Sequence, residues 1–454
     1  MSRGAADLPG RGADHDAGPL VPRYDGAFLG AVLPAAAVAL GLGLDESLAH
    51  GAVPDGAAAF GAVPDGAAAF GAAADGAAAC GAVPDGAAAH TAAAQVPGGG
   101  LPAPTPRGVG LPPQLLPAAR AVCVVIVDGL GLLLLEDAAE RAPFLSSLIP
   151  TGASLQAGCP STTATSMGSF GTGLPPGRHG LVGYEVMDPD RGVLLNELRW
   201  DPDTDPLAWQ PHPTVFDRLV ADHVAVTKIG NPEFDGSGLT LAALRGGDFV
   251  GAMGLDTRVD IAVSALAGAG QRLVYLYWGA LDGAGHRYGW RSPQWRRALW
   301  HVDRELARLA RRLDPDTVLL VTGDHGMVDV PHADRLDLAD HPDLCRGIQV
   351  LGGEARFAQA YCEPGAAEDV AARFADVLGE HAWVRTRDEA VDAGWFGIVD
   401  DRVRPRLGDV LVAAFGSFGL VDSRTAAPHA LRLIGQHGSL TEAEQLIPLL
   451  VHPG

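Results

Sequence analysis

Lysine is almost missing from this 454-residue chain, which contains only Lys228. Because Ile229 follows it, where serine or threonine would be required, a Walker-type phosphate-binding loop is excluded. Basic residues are scarce in general: 33 lysines and arginines stand against 54 acidic residues, and the net charge is -21. The negative electrostatic field of such a chain repels nucleic-acid polymers, which argues against a DNA- or RNA-binding module. A small phosphorylated substrate remains compatible where a local cation overrides the field.

Cysteine is also scarce. The five cysteines have no CxxC spacing and lie far apart in the chain: Cys80, Cys123, Cys159, Cys345 and Cys362. So few thiols in a long chain exclude a disulfide framework and predict reduced cysteines. Cys123 lies within an apolar run and is expected to be ordinary core.

Residues 26–44 form an apolar run of 19 residues without a charge. As a membrane span this segment is marginal in length and carries Pro34 near its middle. As a signal peptide it begins too late, with Asp25 at its front edge. We therefore expect residues 20–45 to form an apolar helix packed on the protein, and the protein to be cytoplasmic without a membrane partner. Export or membrane association is the alternative.

Two segments near the N-terminus lack core-forming residues. Residues 1–19 are polar and glycine-rich, which predicts disorder. Residues 51–90 repeat a decapeptide of the form GAVPDGAAAF. Since these units have few large apolar side chains to stack, we interpret residues 46–104 as a low-complexity insertion without chemistry.

Beyond residue 120 short apolar runs alternate with helical patterns, which predicts an α/β fold with a mostly parallel sheet flanked by helices. The predicted strands cover residues 121–127, 223–229, 272–278 and 317–321, and residues 292–313 have the spacing of an amphipathic helix. Residues 346–404 resemble a small inserted α/β subdomain, after which residues 408–414 are expected to return to the main sheet. The core would then comprise residues 105–345 and 405–454.

An aspartate follows each of three predicted strands: Asp128, Asp282 and Asp324. A single acid at such a position is often only a helix cap. Three acids at the carboxyl edge of one sheet, each with glycine nearby, weaken that interpretation, because ligands bind at this edge in open α/β sheets.

Histidines accompany these aspartates. His286 lies four residues after Asp282, and His325 is adjacent to Asp324. Near the C-terminus His437 lies in the sequence GQHGS, between a pair of glycines. Six nitrogen and oxygen ligands exceed what one zinc site uses and suit two metals.

A hydroxyl-rich stretch, residues 158–173, supplies a candidate nucleophile. It could be only a threonine-rich cap before a closely packed helix. A hydroxyl at a helix N-terminus also lies where phosphate binds, and a metal would lower its pKa.

Five motifs together resemble the type I phosphodiesterase/nucleotide pyrophosphatase family of the alkaline phosphatase superfamily. They occur in the family's order: VIVDGLG (125–131), PSTTATSMGSFGTGLPPGRHG (160–180), LDGAGHRYG (281–289), TGDHGM (322–327) and GQHG (435–438). The resemblance implies an alkaline-phosphatase-like fold and a hydrolase of nucleotide-type phosphodiester or pyrophosphate bonds.

The resemblance also implies a role for each matching residue. Thr163 corresponds to the threonine nucleophile and, with Asp128, Asp324 and His325, would bind one zinc ion. The second zinc would be bound by Asp282, His286 and His437. A threonyl-nucleotide intermediate would form and then be hydrolysed by water.

One position departs from the family pattern. Tyr184, 21 residues after Thr163, stands where well-known members have an asparagine that donates to a phosphoryl oxygen. The tyrosine hydroxyl could replace that donor, or its ring could stack on a nucleobase. A phosphonate or phosphomonoester hydrolase and a non-catalytic binding module remain the alternatives, and the oligomeric state stays open.

Overall fold

The structure is a computed structural model that describes residues 18–42, 111 and 115–454. The β-strands are β1 (Ala121–Val127), β2 (Ala153–Gln156), β3 (Glu185–Asp188), β4 (Val193–Asn196), β5 (Ala225–Gly230), β6 (Asp248–Gly251), β7 (Arg272–Trp278), β8 (Thr317–Thr322), β9 (Val328–Asp329), β10 (Arg335–Asp337), β11 (Ile348–Glu354), β12 (Phe357–Cys362), β13 (Ala382–Thr386), β14 (Val410–Ala414), β15 (Gly419–Val421), β16 (Gly435–Gln436) and β17 (Leu446–Pro453).

The α-helices are α1 (Val32–Ala39), α2 (Leu132–Asp137), α3 (Pro143–Leu148), α4 (Thr163–Thr172), α5 (Pro176–His179), α6 (Pro206–Trp209), α7 (Val215–Ala221), α8 (Gly238–Ala243), α9 (Leu255–Leu266), α10 (Ala280–Tyr288), α11 (Pro293–Ala310), α12 (Ala367–Leu378), α13 (Arg387–Asp392) and α14 (Glu442–Gln445).

A seven-stranded sheet forms the centre, with strand order β2-β17-β8-β1-β7-β5-β6. The strands β8, β1, β7, β5 and β6 pair in parallel, whereas β17 runs antiparallel to both of its neighbours. This confirms the predicted α/β class with its mostly parallel sheet. The four predicted strands all occur, with β5 shifted by about two residues at its start.

Both faces of the sheet are covered, which explains why β1 is buried along its whole length. Val124 and Ile126 pack into one core, whereas Cys123 and Val125 face the other, as expected from the alternation of side chains along a strand. The cysteine is therefore core, as predicted, and the four cysteines in the described residues are free thiols.

Helix α11 confirms the predicted amphipathic helix within residues 292–313. The Ser292 side chain accepts a hydrogen bond from the Trp295 backbone N–H, which caps the helix, and Pro293 occupies its first turn. One face is buried against the sheet, through Trp295, Leu299, Val302, Leu306 and Leu309.

The N-terminal apolar segment forms a shorter helix than the sequence predicts. Helix α1 has eight residues, and Leu33, Ala36 and Ala37 are buried in the same core as β1. No helix within the described ranges is both long and apolar enough to cross a membrane. The predictions for residues 46–104, and for all but the last two of residues 1–19, lie outside the described residues.

A four-stranded sheet, with strand order β11-β12-β14-β13, lies beside the main sheet. Helix α12 packs on it and shares a core with it through Val370 and Phe374. The prediction that residues 408–414 return to the main sheet is wrong, because β14 pairs with β12 and β13 instead. Its sequence, VLVAA, is a buried strand in either place, and only the long-range pairing decides between them.

Candidate active site

The carboxyl edge of the main sheet brings the three aspartates together. The strands β8, β1 and β7 are direct neighbours, and Asp128 follows β1 immediately. Asp324 follows β8 after one glycine, and Asp282 lies in the first turn of α10, which begins just beyond β7. The topology therefore places three carboxylates from distant parts of the sequence at one point.

The histidines join this cluster. One helical turn brings His286 Nε2 to 3.2 Å from Asp282 Oδ2. His437 directly follows β16, and its Nε2 lies 3.3 Å from His286 Nε2. His325 Nε2 lies 3.4 Å from Asp128 Oδ1, and the His325 ring stacks on that of His437 at 3.6 Å.

All three imidazoles hydrogen-bond to the backbone through the same ring nitrogen. The Nδ1 atoms of His286, His325 and His437 hydrogen-bond to the backbone carbonyls of Gly435, Gly326 and Ser161, at 2.8, 2.9 and 2.9 Å. A carbonyl accepts only, so each Nδ1 carries a proton and each Nε2 points at the cluster, where the neutral form of the ring can offer its lone pair. This tautomer is the one that metal-binding histidines adopt.

Two groups of ligand atoms follow from this geometry. Those of Asp282, His286 and His437 all lie within 4.8 Å of one another, and so do those of Asp128, Asp282 and His325. Asp282 thus belongs to both groups. Asp324 lies beside the second, with Oδ2 3.7 Å from His325 Nε2, while its Oδ1 accepts hydrogen bonds from the backbone N–H groups of Gly129 and His325.

The electrostatics of the cluster are unfavourable for carboxylates alone. Burial raises the pKa of Asp128, and the negative charges of Asp324 and Asp282 raise it further. Burial also raises the pKa of Asp324. At Asp282 burial opposes ionisation, but the His286 and His437 imidazoles outweigh it and lower the pKa. Positive charge nearby would stabilise the ionised form of three carboxylates this close together.

Thr163 begins helix α4 and faces the same cluster. Its Oγ1 lies 3.3 Å from His325 Nε2, and it lines the cavity together with Asp128. The rest of the helix is buried, and the Ser166 hydroxyl donates to the Asp324 carbonyl at 2.7 Å. The helix is thereby fixed with its N-terminus, where anions bind, pointing at the cluster.

A cavity of about 1010 Å³ opens onto these groups. Tyr184, just before β3, lines it, as the sequence predicts for a residue that returns to the pocket. Phe234 and Tyr277 form part of an aromatic wall, with ring centroids 5.8 Å apart. The small sheet contributes Val350 and Leu351. The size of this cavity suits a small-molecule substrate.

The model of the type I phosphodiesterase/nucleotide pyrophosphatase family matches residues 122–440 of this chain. The chain belongs to this family. The matched residues run from β1 to just beyond His437, so they include every residue of the cluster and confirm the resemblance that the five motifs indicate.

Solved structures agree with this assignment at the level of fold. Murine ectonucleotide pyrophosphatase/phosphodiesterase 5 superposes with a TM-score of 0.59 and 18% identity, over 73% of this chain and 87% of that one. It has also been solved as an inactive threonine-to-alanine variant in complex with AMP. Phosphonoacetate hydrolase from Sinorhizobium meliloti 1021, in complex with phosphonoformate, superposes with a TM-score of 0.56 and 20% identity, over 74% and 91% of the two chains.

A curated relative is the alkaline phosphatase PhoD of Zymomonas mobilis subsp. mobilis (strain ATCC 31821 / ZM4 / CP4), 31% identical over 156 residues. The match covers 30% of this chain and 27% of the relative, so the chain spans about a quarter of that protein's length. The family assignment supports a phosphoesterase-type hydrolase, and the solved structures agree with it in fold.

The cluster of this phosphodiesterase-family chain fits bound metal. Within the described residues Asp128 Oδ1, Asp282 Oδ1 and Asp324 Oδ2 are buried without a hydrogen-bond partner. The Nε2 atoms of His286 and His437 also lie 3.3 Å apart. A divalent cation satisfies both the oxygens and the nitrogens, and a donor set of imidazole and carboxylate suits a first-row transition metal.

Two residues of the cavity, Tyr277 and Glu354, are not predicted from the sequence. The Tyr277 hydroxyl donates a hydrogen bond to Asp128 Oδ2. Glu354, at the end of β11, brings a carboxylate from the small sheet into the cavity. The parallel register pairs Ile126 with Tyr277, so alignment of strands β1 and β7 could have indicated the tyrosine. For Glu354 the sequence offers no such signal, since it depends on the position of the small sheet.

Proposed function

We propose that this protein hydrolyses nucleotide-type phosphodiester or pyrophosphate bonds with Thr163 as the nucleophile and two zinc ions as cofactors. The observation that carries the proposal is the position of Thr163 Oγ1, 3.3 Å from His325 Nε2 at the mouth of the ligand cluster. A hydroxyl in this position can reach a phosphorus atom held at the helix N-terminus.

Asp128, Asp324 and His325 would hold one ion together with Thr163, and Asp282, His286 and His437 would hold the other. Bound zinc would supply Lewis-acid stabilisation of the phosphoryl charge and favour the ionised hydroxyl of the nucleophile. The shared position of Asp282 between the two groups supports two closely spaced ions.

The chain's own residues position and attack the phosphoryl group. The Thr162 side chain makes no capping hydrogen bond, so backbone N–H groups at the start of α4 remain available to phosphoryl oxygens. Thr163 attacks phosphorus, the P–O bond to the leaving group breaks, and a threonyl-nucleotide intermediate forms. Water then cleaves this ester and restores the hydroxyl. Tyr184 is proposed as a donor to a non-bridging oxygen.

The substrate is proposed to be a small phosphorylated molecule or nucleotide. The cavity volume supports this proposal, and so does the complex of a family member of similar fold with AMP. The net charge of -21 argues against polymeric nucleic acid. A cytoplasmic location stays a prediction.

A phosphonate or phosphomonoester hydrolase is a second candidate on the same cluster. The similarity to phosphonoacetate hydrolase in fold, and the local match to an alkaline phosphatase, favour keeping it. A binding module without catalysis is the third hypothesis.

A hydrolysis panel on the zinc-loaded protein tests all three readings. It compares an aryl ester of thymidine monophosphate, a dinucleotide polyphosphate, an aryl phosphate and phosphonoacetate. We expect the aryl ester of thymidine monophosphate and the dinucleotide polyphosphate to turn over fastest. Preference for the aryl phosphate or phosphonoacetate would replace it with the second candidate, and no turnover together with no bound metal would favour the binding module.

A further inference from the structure

The residue before the nucleophile helix has the position of a helix cap but does not act as one. Thr162 precedes α4 with an extended backbone, φ -131° and ψ 150°, and its carbonyl accepts the first helical hydrogen bond from the Ser166 N–H at 2.9 Å. A threonine in this place normally also accepts a hydrogen bond through its side chain, from a backbone N–H of the first turn. Within the described part of the chain, the buried Thr162 hydroxyl accepts none.

A carboxylate from the small sheet engages this hydroxyl instead. Glu354, at the end of β11, hydrogen-bonds to the Thr162 side chain. A hydroxyl can donate to a carboxylate and accept from an N–H at the same time, but only in an orientation that reaches both partners. Here the hydrogen bond to Glu354 forms and the cap does not. The carboxylate therefore holds the Thr162 side chain away from the first turn.

The Glu354 carboxylate has little freedom to move. It packs against Gly438, where an added Cβ would lie 2.9 Å from Glu354 Oε1. Gly438 in turn is bonded to the segment that leads into α4. The Ser161 N–H donates to the Gly438 carbonyl at 3.0 Å, and the Gly438 N–H donates to Ser161 Oγ at 3.2 Å. Glu354 is thereby confined between Gly438 and Thr162.

The first turn of α4 is the place where an anion can bind. Its N-terminus points at the ligand cluster, with Thr163 Oγ1 3.3 Å from His325 Nε2. The N–H groups of Ala164 and Thr165 occupy the positions that a side-chain cap would use. A capping hydroxyl would therefore compete with phosphoryl oxygens for the same donors.

We infer that Glu354 is a positioning residue that keeps the phosphoryl site open, by holding the Thr162 hydroxyl away from the backbone N–H groups of the first turn of α4. It acts through Thr162 and not on the reacting atoms. The small sheet would thus contribute to phosphoryl binding from outside the ligand cluster. This inference rests on the proposed function.

Two substitutions of Glu354 separate its hydrogen bond from its charge. Glu354→Gln and Glu354→Leu both remove the charge, but only glutamine keeps an acceptor for the Thr162 hydroxyl. With zinc-loaded protein we expect Glu354→Leu to lower kcat/KM for an aryl ester of thymidine monophosphate by roughly twofold to thirtyfold. This is the range of a helix cap that the substrate would have to displace. Inhibition by inorganic phosphate should weaken by a similar factor, Glu354→Gln should stay closer to wild type, and zinc content should be equal in the two variants.

A second substitution tests whether Glu354 acts through Thr162. Thr162→Ala removes the hydroxyl that would cap the helix, so adding it to Glu354→Leu should raise kcat/KM again. In the Thr162→Ala background, glutamate and leucine at position 354 should give nearly the same kcat/KM. A role of Glu354 in packing or in charge alone would not be relieved by this second substitution.

Glu185→Leu is the matched control. Glu185 is another acid of the same cavity, and its carboxyl hydrogen-bonds to Asn196. Any loss of kcat/KM in this variant should persist when Thr162→Ala is added. Glu354→Ala, which also removes the acceptor, replaces Glu354→Leu in the same comparison if the leucine variant does not fold.

The outcomes distinguish the inference from the proposed function. Equal kcat/KM in the glutamine and leucine variants, or a loss in Glu354→Leu that Thr162→Ala does not relieve, overturns the role of Glu354. Turnover by the wild type then leaves the hydrolase intact. A zinc-loaded wild type that does not cleave the ester overturns both.

Discussion

Three imidazoles determine the chemistry at the scale of single residues. Each is bound to a backbone carbonyl through Nδ1, so every Nε2 is left to the cluster. The sequence predicts the identity of these residues, because an aspartate or histidine at a strand end is visible as a pattern. It does not predict the tautomer, which depends on carbonyls such as that of Ser161, 276 residues from its partner.

Thr163→Ala should remove nearly all turnover while zinc content and melting temperature stay close to wild type. The side chain is small, half-buried and at the start of a helix, so its loss removes the attacking oxygen and little packing. Kinetics and metal analysis of the same preparation check this. Thr163→Ser, which keeps the hydroxyl, should retain measurable activity. A fully active Thr163→Ala beside an inactive Thr162→Ala would move the nucleophile by one residue.

Tyr277→Phe should weaken metal binding roughly tenfold to a hundredfold, as is typical when a group that orients a metal ligand is lost. The hydroxyl donates to Asp128 Oδ2, and the phenylalanine keeps the ring against Phe234. Zinc titration with a competing chelator gives the dissociation constants. Tyr275→Phe is the control from the same strand, since within the described residues that hydroxyl donates to the Met167 sulfur rather than to a candidate metal ligand. Equal affinities in both variants would refute a role for Tyr277.

Tyr184→Phe should lower kcat about tenfold to a hundredfold without changing stability or zinc content. A donor aimed at developing charge is typically worth about 2.7 to 4 kcal/mol, and bound metal would already neutralise part of that charge. Should the ring instead stack on a nucleobase, the phenylalanine variant would behave as wild type and Tyr184→Ala would mainly raise KM. Unchanged kcat and KM in both variants would place Tyr184 outside the reaction.

At the scale of elements, the sequence predicts what local patterns determine. The buried run of β1 and the amphipathic face of α11 both follow from residue types within one segment. The destination of β14 does not, because a short buried strand pairs equally well in either sheet until distant strands are in place. Glu354 was missed for the same reason.

The segment before Tyr184 is held by one buried carboxylate, that of Glu197. It accepts hydrogen bonds from the Val182 and Gly183 backbone N–H groups and from Trp209 Nε1. Burial raises its pKa to about 7 from an ordinary value of 4.5. The folded protein therefore binds this proton more tightly than the unfolded chain does, and stability falls as pH rises from about 4.5 to 7.

Glu197→Gln should remove that part of the pH dependence, which amounts to about 3 kcal/mol at most. The glutamine oxygen can still accept from the two backbone N–H groups, but its NH2 group would face the Trp209 donor. We therefore expect the variant to be less stable than wild type at pH 5, and the difference to shrink or reverse at pH 8. Urea midpoints at both pH values measure this. The same difference at both would show that Glu197 is ionised throughout.

At the scale of the whole molecule, a buried ion pair joins the small sheet to the segment that carries His437. Arg356 follows β11 and makes two hydrogen bonds to the Glu444 carboxylate, at 2.8 and 3.1 Å, with both side chains fully buried. The same carboxylate accepts from the Ser439 backbone N–H, and the Glu444 carbonyl accepts from Gly326 N–H. Glu444 thus links the small sheet to the loops that present His437 and His325, so the cluster depends on both sheets.

Removing metal should abolish turnover and lower the melting temperature by several degrees. Without a cation, burial above all and mutual repulsion in addition raise the pKa values of Asp128 and Asp324, and the unpaired carboxylate oxygens stay unsatisfied. An ion that binds only the folded state stabilises it by about 2.7 kcal/mol per site at a free concentration one hundred times its Kd.

Thermal unfolding of chelator-treated protein, titrated with zinc, should show the melting temperature rising with zinc until two equivalents are bound, in parallel with kcat/KM. Titration of an Asp282→Asn variant is the control: because Asp282 belongs to both ligand groups, this one substitution should weaken both steps. A protein that keeps full activity and an unchanged melting temperature after exhaustive chelation would overturn the two-metal proposal.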